Sequence, residues 1–236
     1  MDNFELIIFD CSGVLVDSER IANEVFAKIL NEECGLSFSL NEMFEIFVGR
    51  SSAQCMAIVE KMTGSQPPPN LETRYKTEIE EALRCSVCAV DGIEQALREI
   101  SIPYCVASSG SHEKMATTLG KANLFKLFEG KLHSTSDVVR GKPFPDVYLH
   151  AAQQMGCIDS AKCLVIEDSP LGVEGGVAAG MVVFGYAQFT SEHKLIQAGA
   201  HNTFTDMRTL PGEIAAHKER NGRKHNHENR RTIPFN

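Results

Sequence analysis

The 236-residue sequence predicts an α/β fold: a parallel sheet with helices on both faces and an all-helical insertion after the first strand. Three observations lead there. Short apolar runs at 6–9, 104–107 and 163–166 each stop at polar or acidic residues, and a fourth at 181–184 ends at Gly185. Helical periodicity fills the spaces between the later runs. Met115, Leu119 and Ala122 share one face, Val147, Ala151 and Met155 a second, and Val173, Val177 and Gly180 a third. Residues 17–88 carry helix patterns and no convincing strand.

The first strand ends at Asp10, and Cys11, Ser12 and Gly13 turn the chain. Asp17 is expected to cap or staple the helix that follows. In that helix Ile21, Val25 and Ile29, with Phe26 and Leu30, form an apolar stripe. Pro67, Pro68 and Pro69 break the chain, with Ser65 and Asn70 as turn and cap residues. Leu71, Tyr75, Ile79 and Leu83 then repeat at four-residue spacing. Residues 89–92 read as the return connection. Ligands of parallel sheets bind beyond the carboxyl ends of the strands. Asp10, Ser108, Ser109, Glu167 and Asp168 would gather there, with the insertion above them as a lid.

Composition narrows the class. Apolar residues make up 43% and charged residues 23% of a chain with net charge −8. That is a globular protein, with neither nucleic acid nor a membrane expected as partner. Eight cysteines and an acidic N-terminus suggest reduced thiols and a cytoplasmic protein. Cys85 and Cys88 form a CxxC, but no second pair follows at zinc-ligand spacing, so they read as plain thiols near a linker. From His217 to Arg231 there are six Lys or Arg against two Glu, which predicts a solvated tail.

Taken singly, the polar residues have modest explanations. Ser108 would be a helix cap, Lys142 a loop lysine, and Glu167 and Asp168 caps of the helix near Pro170. Together they suit phosphoryl transfer. An aspartate at a strand tip can attack phosphorus, and the repulsion between carboxylate and phosphate calls for a cation between them. Magnesium keeps several waters and needs few carboxylates, and Asp10 and Asp168 supply two.

The segments FDCSGVLVDSE, VASSGS, GKPFPDVY and VIEDSPLGVEGGVAAGM resemble, in order and spacing, the four signatures of the haloacid dehalogenase superfamily. The resemblance covers residues 4 to about 212. The insertion resembles the helical cap of the branch holding β-phosphoglucomutases and sugar-phosphate phosphatases, with a narrower likeness to bacterial phosphatases acting on 6-phosphogluconate. It implies a Rossmann-like core formed by 1–16 and 89–212, a cap at 17–88, and a basic, flexible tail at 213–236. It implies Mg2+ held by Asp10, Asp168 and the carbonyl of Ser12, with Glu167 at the metal site orienting bound water. Asp10 would be the nucleophile. Ser108 and the amides of Ser109 and Gly110 would bind phosphate, and Lys142 would stabilise both the phosphate and Asp10. Arg50, in the FVGRS segment of the cap, would meet a second anionic group. The expected partner is a small phosphorylated metabolite, and the expected state a monomer.

One residue departs from the pattern. The family's phosphatases and mutases place an aspartate where this chain has Ser12, and that aspartate is the acid and base of catalysis. A hydroxyl cannot do this near neutral pH. General acid–base catalysis contributes roughly 10²–10⁴-fold, so a slowed phosphatase is expected. A phosphohexomutase, or a protein inactive by nature or by engineering that binds phosphorylated ligand, are the alternatives.

Overall fold

The computed structural model describes residues 4–48, 50 and 52–229. After β1 (Leu6–Phe9) come four helices, α1 (Ser18–Cys34), α2 (Leu40–Phe47), α3 (Ser52–Thr63) and α4 (Leu71–Ser86). The core resumes with α5 (Ile93–Glu99), β2 (Tyr104–Ser108), α6 (His112–Lys121), α7 (Phe125–Phe128), β3 (Leu132–Ser134) and α8 (Asp146–Gln154). It closes with β4 (Cys163–Glu167), α9 (Pro170–Ala178), β5 (Val182–Tyr186), α10 (Glu192–Gln197), β6 (Asn202–Phe204) and α11 (Leu210–Asn229). The six strands are parallel, in the order β3-β2-β1-β4-β5-β6.

Alternation along β1 divides the core. Ile7 and Phe9 point to one side with Val106, Leu164 and Ile166; Leu6 and Ile8 point to the other with Cys105, Ala107 and Val165. Both faces are buried, which explains why the strands read as continuous apolar runs rather than alternating ones. Ile8 lies level with Cys105 of β2 and Val165 of β4, so the tips of these three strands finish side by side.

The cap has its own apolar centre of Phe26, Ile29, Leu30, Met43, Phe47, Val59 and Leu71. It joins the core through two chain crossings bonded to each other. The Asp17 amide donates to Cys88 O, and the Cys88 amide returns a bond to Asp17 Oδ1 at 3.0 Å. Asp17 stands at the N-cap position of α1 but gives no side-chain capping bond: its carboxylate takes Arg20 of the first turn, and it clasps entry to exit. On the far side α2 reaches the core, where Phe44 stacks on Phe189 with ring centres 4.3 Å apart and Glu45 pairs with Lys194 at 2.7 Å.

Two further expectations change. Val177 is 38% exposed, and α9 packs instead through Gly172, Val173, Gly175 and Gly176. A methyl group at Gly176 would strike Val183, so the helix lies against the sheet at a distance only glycine permits. The chain also stays ordered as helix beyond 212. Ile214 is buried in the core, and His217 stacks on Phe4. The tail expected to be flexible is thus helical from 213 to 229, and residues 230–236 lie outside the described residues.

Candidate active site

The tips of β1, β2 and β4 bring the sequence-predicted residues to one pocket of about 260 Å³. Asp10, Ser12, Ser108, Ser109, Gly110, Lys142 and Asp168 all line it. Glu167 lies beneath it and Arg50 in the cap beside it.

Lys142 is the centre of the charge arrangement. Its ammonium donates to Asp10 Oδ1 at 2.5 Å, Glu167 Oε1 at 2.5 Å and Ala107 O at 3.1 Å, which commits all three donors. Burial opposes its charge, but Asp10 and Glu167 prevail and hold its pKa well above that of a free lysine. It is no solvated loop residue. Tyr148, fully buried on α8, lies under the ammonium and donates to Glu167 Oε1 at 2.8 Å.

Glu167 is fully buried and turned inward. Its Oε2 accepts the amides of Asp168 and Ser169 and the Ser169 hydroxyl. A methyl group at Gly172 would collide with it. Its place is to fix Lys142 and the β4–α9 turn, not to line the pocket. Ser169, rather than either acid, caps α9.

The loop of Ser108, Ser109 and Gly110 follows the same division of labour. Ser111 caps α6, which leaves the Ser108 hydroxyl, buried at 2% exposure, in the pocket wall accepting the Gly110 amide at 3.1 Å. From behind, Ser134 donates to Gly110 O at 2.8 Å and Thr135 to Ser109 O at 3.3 Å. These bonds tie the carbonyls of Ser109 and Gly110 to the end of β3.

Burial raises Asp10 to about 7, with Lys142 pulling it down and Glu167 pushing it up. Burial, then Glu167 and Asp10, raise Asp168 well above the carboxylate range. Two buried carboxylates, Asp10 and Glu167, share the one ammonium and the half-buried Asp168 lies beside them, an excess of negative charge that a hard cation would relieve. Asp168 lies close against Gly13, whose φ of +81° and missing Cβ make room for it. The Ser12 carbonyl accepts no backbone bond among the described residues. No group of three His, Cys, Asp or Glu side chains forms a metal cage among the described residues. Two carboxylates and a carbonyl nevertheless fit magnesium, which keeps its remaining waters.

Arg50 is exposed, donates to Ile46 O at 2.5 Å and lines a second pocket of about 310 Å³ within the cap, with Phe26, Phe47, Glu72 and Tyr75. Its neighbours 49 and 51 lie outside the described residues. Arg74 is committed to Glu33 and Glu78, as a charged solvent face predicts. Sequence reasoning missed Tyr148, Ser134, Glu19 and Lys114. The last two line the pocket over Asp10, and their only signal was position: one turn into the helix after each of the first two strand tips.

Comparison with known proteins agrees with this geometry. The model of the haloacid dehalogenase-like hydrolases matches residues 4–180. The 6-phosphogluconate phosphatase of Escherichia coli K12 is 32% identical over 212 residues, 89% of this chain and 95% of its own. A haloacid dehalogenase-like protein of unknown function from Agrobacterium tumefaciens superposes with a TM-score of 0.85 at 35% identity, covering 92% of this chain and all of its own. A family hydrolase from Deinococcus radiodurans, solved with phosphate and sodium, gives 0.81 at 30% identity over 91% of this chain and 98% of its own. With Asp10 at the strand tip, Lys142 beside it and the cap above, the chain belongs to the haloacid dehalogenase-like hydrolases and is a phosphoric monoester hydrolase.

Proposed function

We propose that this chain is a magnesium-dependent phosphatase of a small phosphorylated metabolite, sugar-derived and carrying a second anionic group, which works through an aspartyl phosphate on Asp10. The observation that carries the reading is the single bond from Lys142 to Asp10 Oδ1 at 2.5 Å in a pocket shared with Ser108 and Asp168. The other Asp10 oxygen has no hydrogen bond among the described residues and is free to attack.

Asp10, Asp168 and the Ser12 carbonyl would hold Mg2+, which supplies charge neutralisation on the phosphate and keeps Asp10 ionised. Ser108, held by the Gly110 amide, and the amide of Ser109 orient the phosphate, and Lys142 stabilises charge on its equatorial oxygens while holding the nucleophile still. The cap closes over the pocket and excludes water from the ester. Arg50 receives the distal anion in the second pocket through its planar fork. The E. coli relative, named for 6-phosphogluconate, supports a phosphorylated sugar acid as that substrate.

No helix among the described residues is long and apolar enough to cross a membrane. A cytoplasmic monomer without nucleic-acid or membrane partners completes the proposal. The test is phosphate release from a panel of sugar phosphates and 6-phosphogluconate, with and without magnesium, beside Asp10→Asn. Release that requires magnesium and vanishes in the variant supports it. Release that survives the variant overturns it, and an isomeric sugar phosphate as product would mark a mutase instead.

A further inference from the structure

Ser12 leaves the reaction without its usual proton carrier, and the pocket has few candidates to replace it. Asp10 is the nucleophile, Asp168 belongs to the cation site, and Lys142 has no donor free. Lys114 is an exposed ammonium at the start of α6. Glu19 remains.

Its position is specific. Glu19 and Val48 are the two residues that line both the pocket over Asp10 and the pocket within the cap. In a phosphate monoester the bridging oxygen lies between the phosphate and the rest of the molecule. With phosphate in the first pocket and the organic part in the second, that oxygen sits at their junction, where Glu19 stands. The Glu19 carboxylate makes no hydrogen bond or salt bridge among the described residues, although a half-buried carboxylate ordinarily finds one. Two residues earlier, Asp17 clasps the two chain crossings, which fixes the start of the helix that carries Glu19 beside the core.

We propose that Glu19 is the acid–base residue of this enzyme, acting from the first cap helix in place of an aspartate at position 12. The inference rests on the phosphatase reading above. In the first step protonated Glu19 gives its proton to the leaving alkoxide as the P–O ester bond breaks and the Asp10 Oδ–P bond forms. In the second, ionised Glu19 takes a proton from water as the water oxygen bonds to phosphorus. The Asp10 Oδ–P bond breaks, its electron pair returns to the carboxylate, and phosphate leaves. Glu19 ends protonated, as it began.

Its surroundings suit both tasks. Burial raises its pKa, Lys114 of α6 pulls it down, and Glu167 below raises it again. Asp10, Asp168 and Lys142 face it from the core; Tyr75, Glu72 and Arg50 face it from the cap. A carboxyl so placed holds its proton more tightly than a free glutamate does, and it stands where the bridging oxygen and the attacking water meet.

The test compares Glu19→Gln in the parent and in the Ser12→Asp background, with folding checked by thermal melting. In the parent, Glu19→Gln should lower kcat by about 10²-fold or more and flatten the acid limb of the pH profile. With p-nitrophenyl phosphate, whose leaving group needs no proton, it should let phosphate accumulate on the Asp10 peptide, read by mass spectrometry after acid quench. In the Ser12→Asp background the same change should cost less than about tenfold, because a second proton carrier is present. An active parent that is unaffected by Glu19→Gln overturns the inference, as does an equal loss in both backgrounds, which would mark a purely structural or binding role. Failure of the underlying reading shows differently: Asp10→Asn would retain the parent's rate, and both proposals would fall.

Discussion

On the core side of the cleft, the Lys142 side chain is 6% exposed and gives all its donors to Asp10, Glu167 and Ala107. On the cap side, Arg50 is exposed and gives its Nε to a carbonyl of its own segment. The floor is a closed network whose geometry is fixed before substrate arrives, and electrostatic catalysis depends on such fixing. On the roof, Arg20, Lys28, Arg74 and Lys76 are paired with acids, while among the described residues Arg50 is held only through its Nε. On the proposed reading, chemistry lies in the closed network and the choice of substrate in the exposed arginine.

Substitutions can break that contrast at either end. The largest effect is expected from Asp10→Asn, which removes the proposed nucleophile and should lower phosphate release by at least about 10³-fold with the melting temperature little changed. Lys142→Ala comes next. It leaves Asp10 and Glu167 buried without a counter-charge and should destabilise the fold by about 3–5 kcal/mol, measured by urea unfolding. Arg50→Ala should leave stability within about 0.5 kcal/mol of the parent. It should raise KM roughly tenfold for substrates with a distal anion, at nearly constant kcat, as expected when about 1.5 kcal/mol of a charge-assisted bond is lost. The smallest effect belongs to Phe44→Ala. The stack on Phe189 is worth about 0.5–1.5 kcal/mol, and its loss should loosen the cap and raise KM a few-fold.

The pH dependence sharpens the same contrast. Asp10 binds its proton more tightly folded, at about 7, than unfolded. Between about pH 4 and 7 the metal-free folded state therefore carries more protons than the unfolded one, and Asp10's contribution to stability falls as pH rises. Magnesium should oppose that fall. Melting temperatures of the metal-free parent, minus those of Asp10→Asn, should decline across this window, and the decline should shrink with magnesium added.

The floor was far more legible in the sequence than the roof. Asp10, Ser108, Lys142 and Asp168 converge because strand tips are announced by apolar runs and the strand order places β1 between β2 and β4. Glu167 was found as a residue of the site, but nothing in a linear pattern shows that its oxygens turn toward Tyr148 and the Ser169 amide. Glycine faces also escape apolar periodicity, which is how Val177 was chosen over Gly176. Composition misled at the C-terminus. The basic run starting at His217 hid a helix whose first turns pack on the core through Ile214 and His217. Glu19 sat inside a quoted signature with no mark to distinguish it from an ordinary charge near a helix start.

The clasp between Asp17 and Cys88 makes the cap exchangeable. Residues 71 apart in sequence meet as hydrogen-bonded neighbours, and next to them Val16 bridges Ala89 while the Val90 amide reaches Leu15. To the sheet, everything between is equivalent to a hairpin loop. Closing a longer loop is cheap, about 0.6 kcal/mol for each doubling of length. A different helical bundle could be spliced between these two positions without disturbing a strand. The same floor could thereby meet a different set of molecules by replacement of one continuous segment.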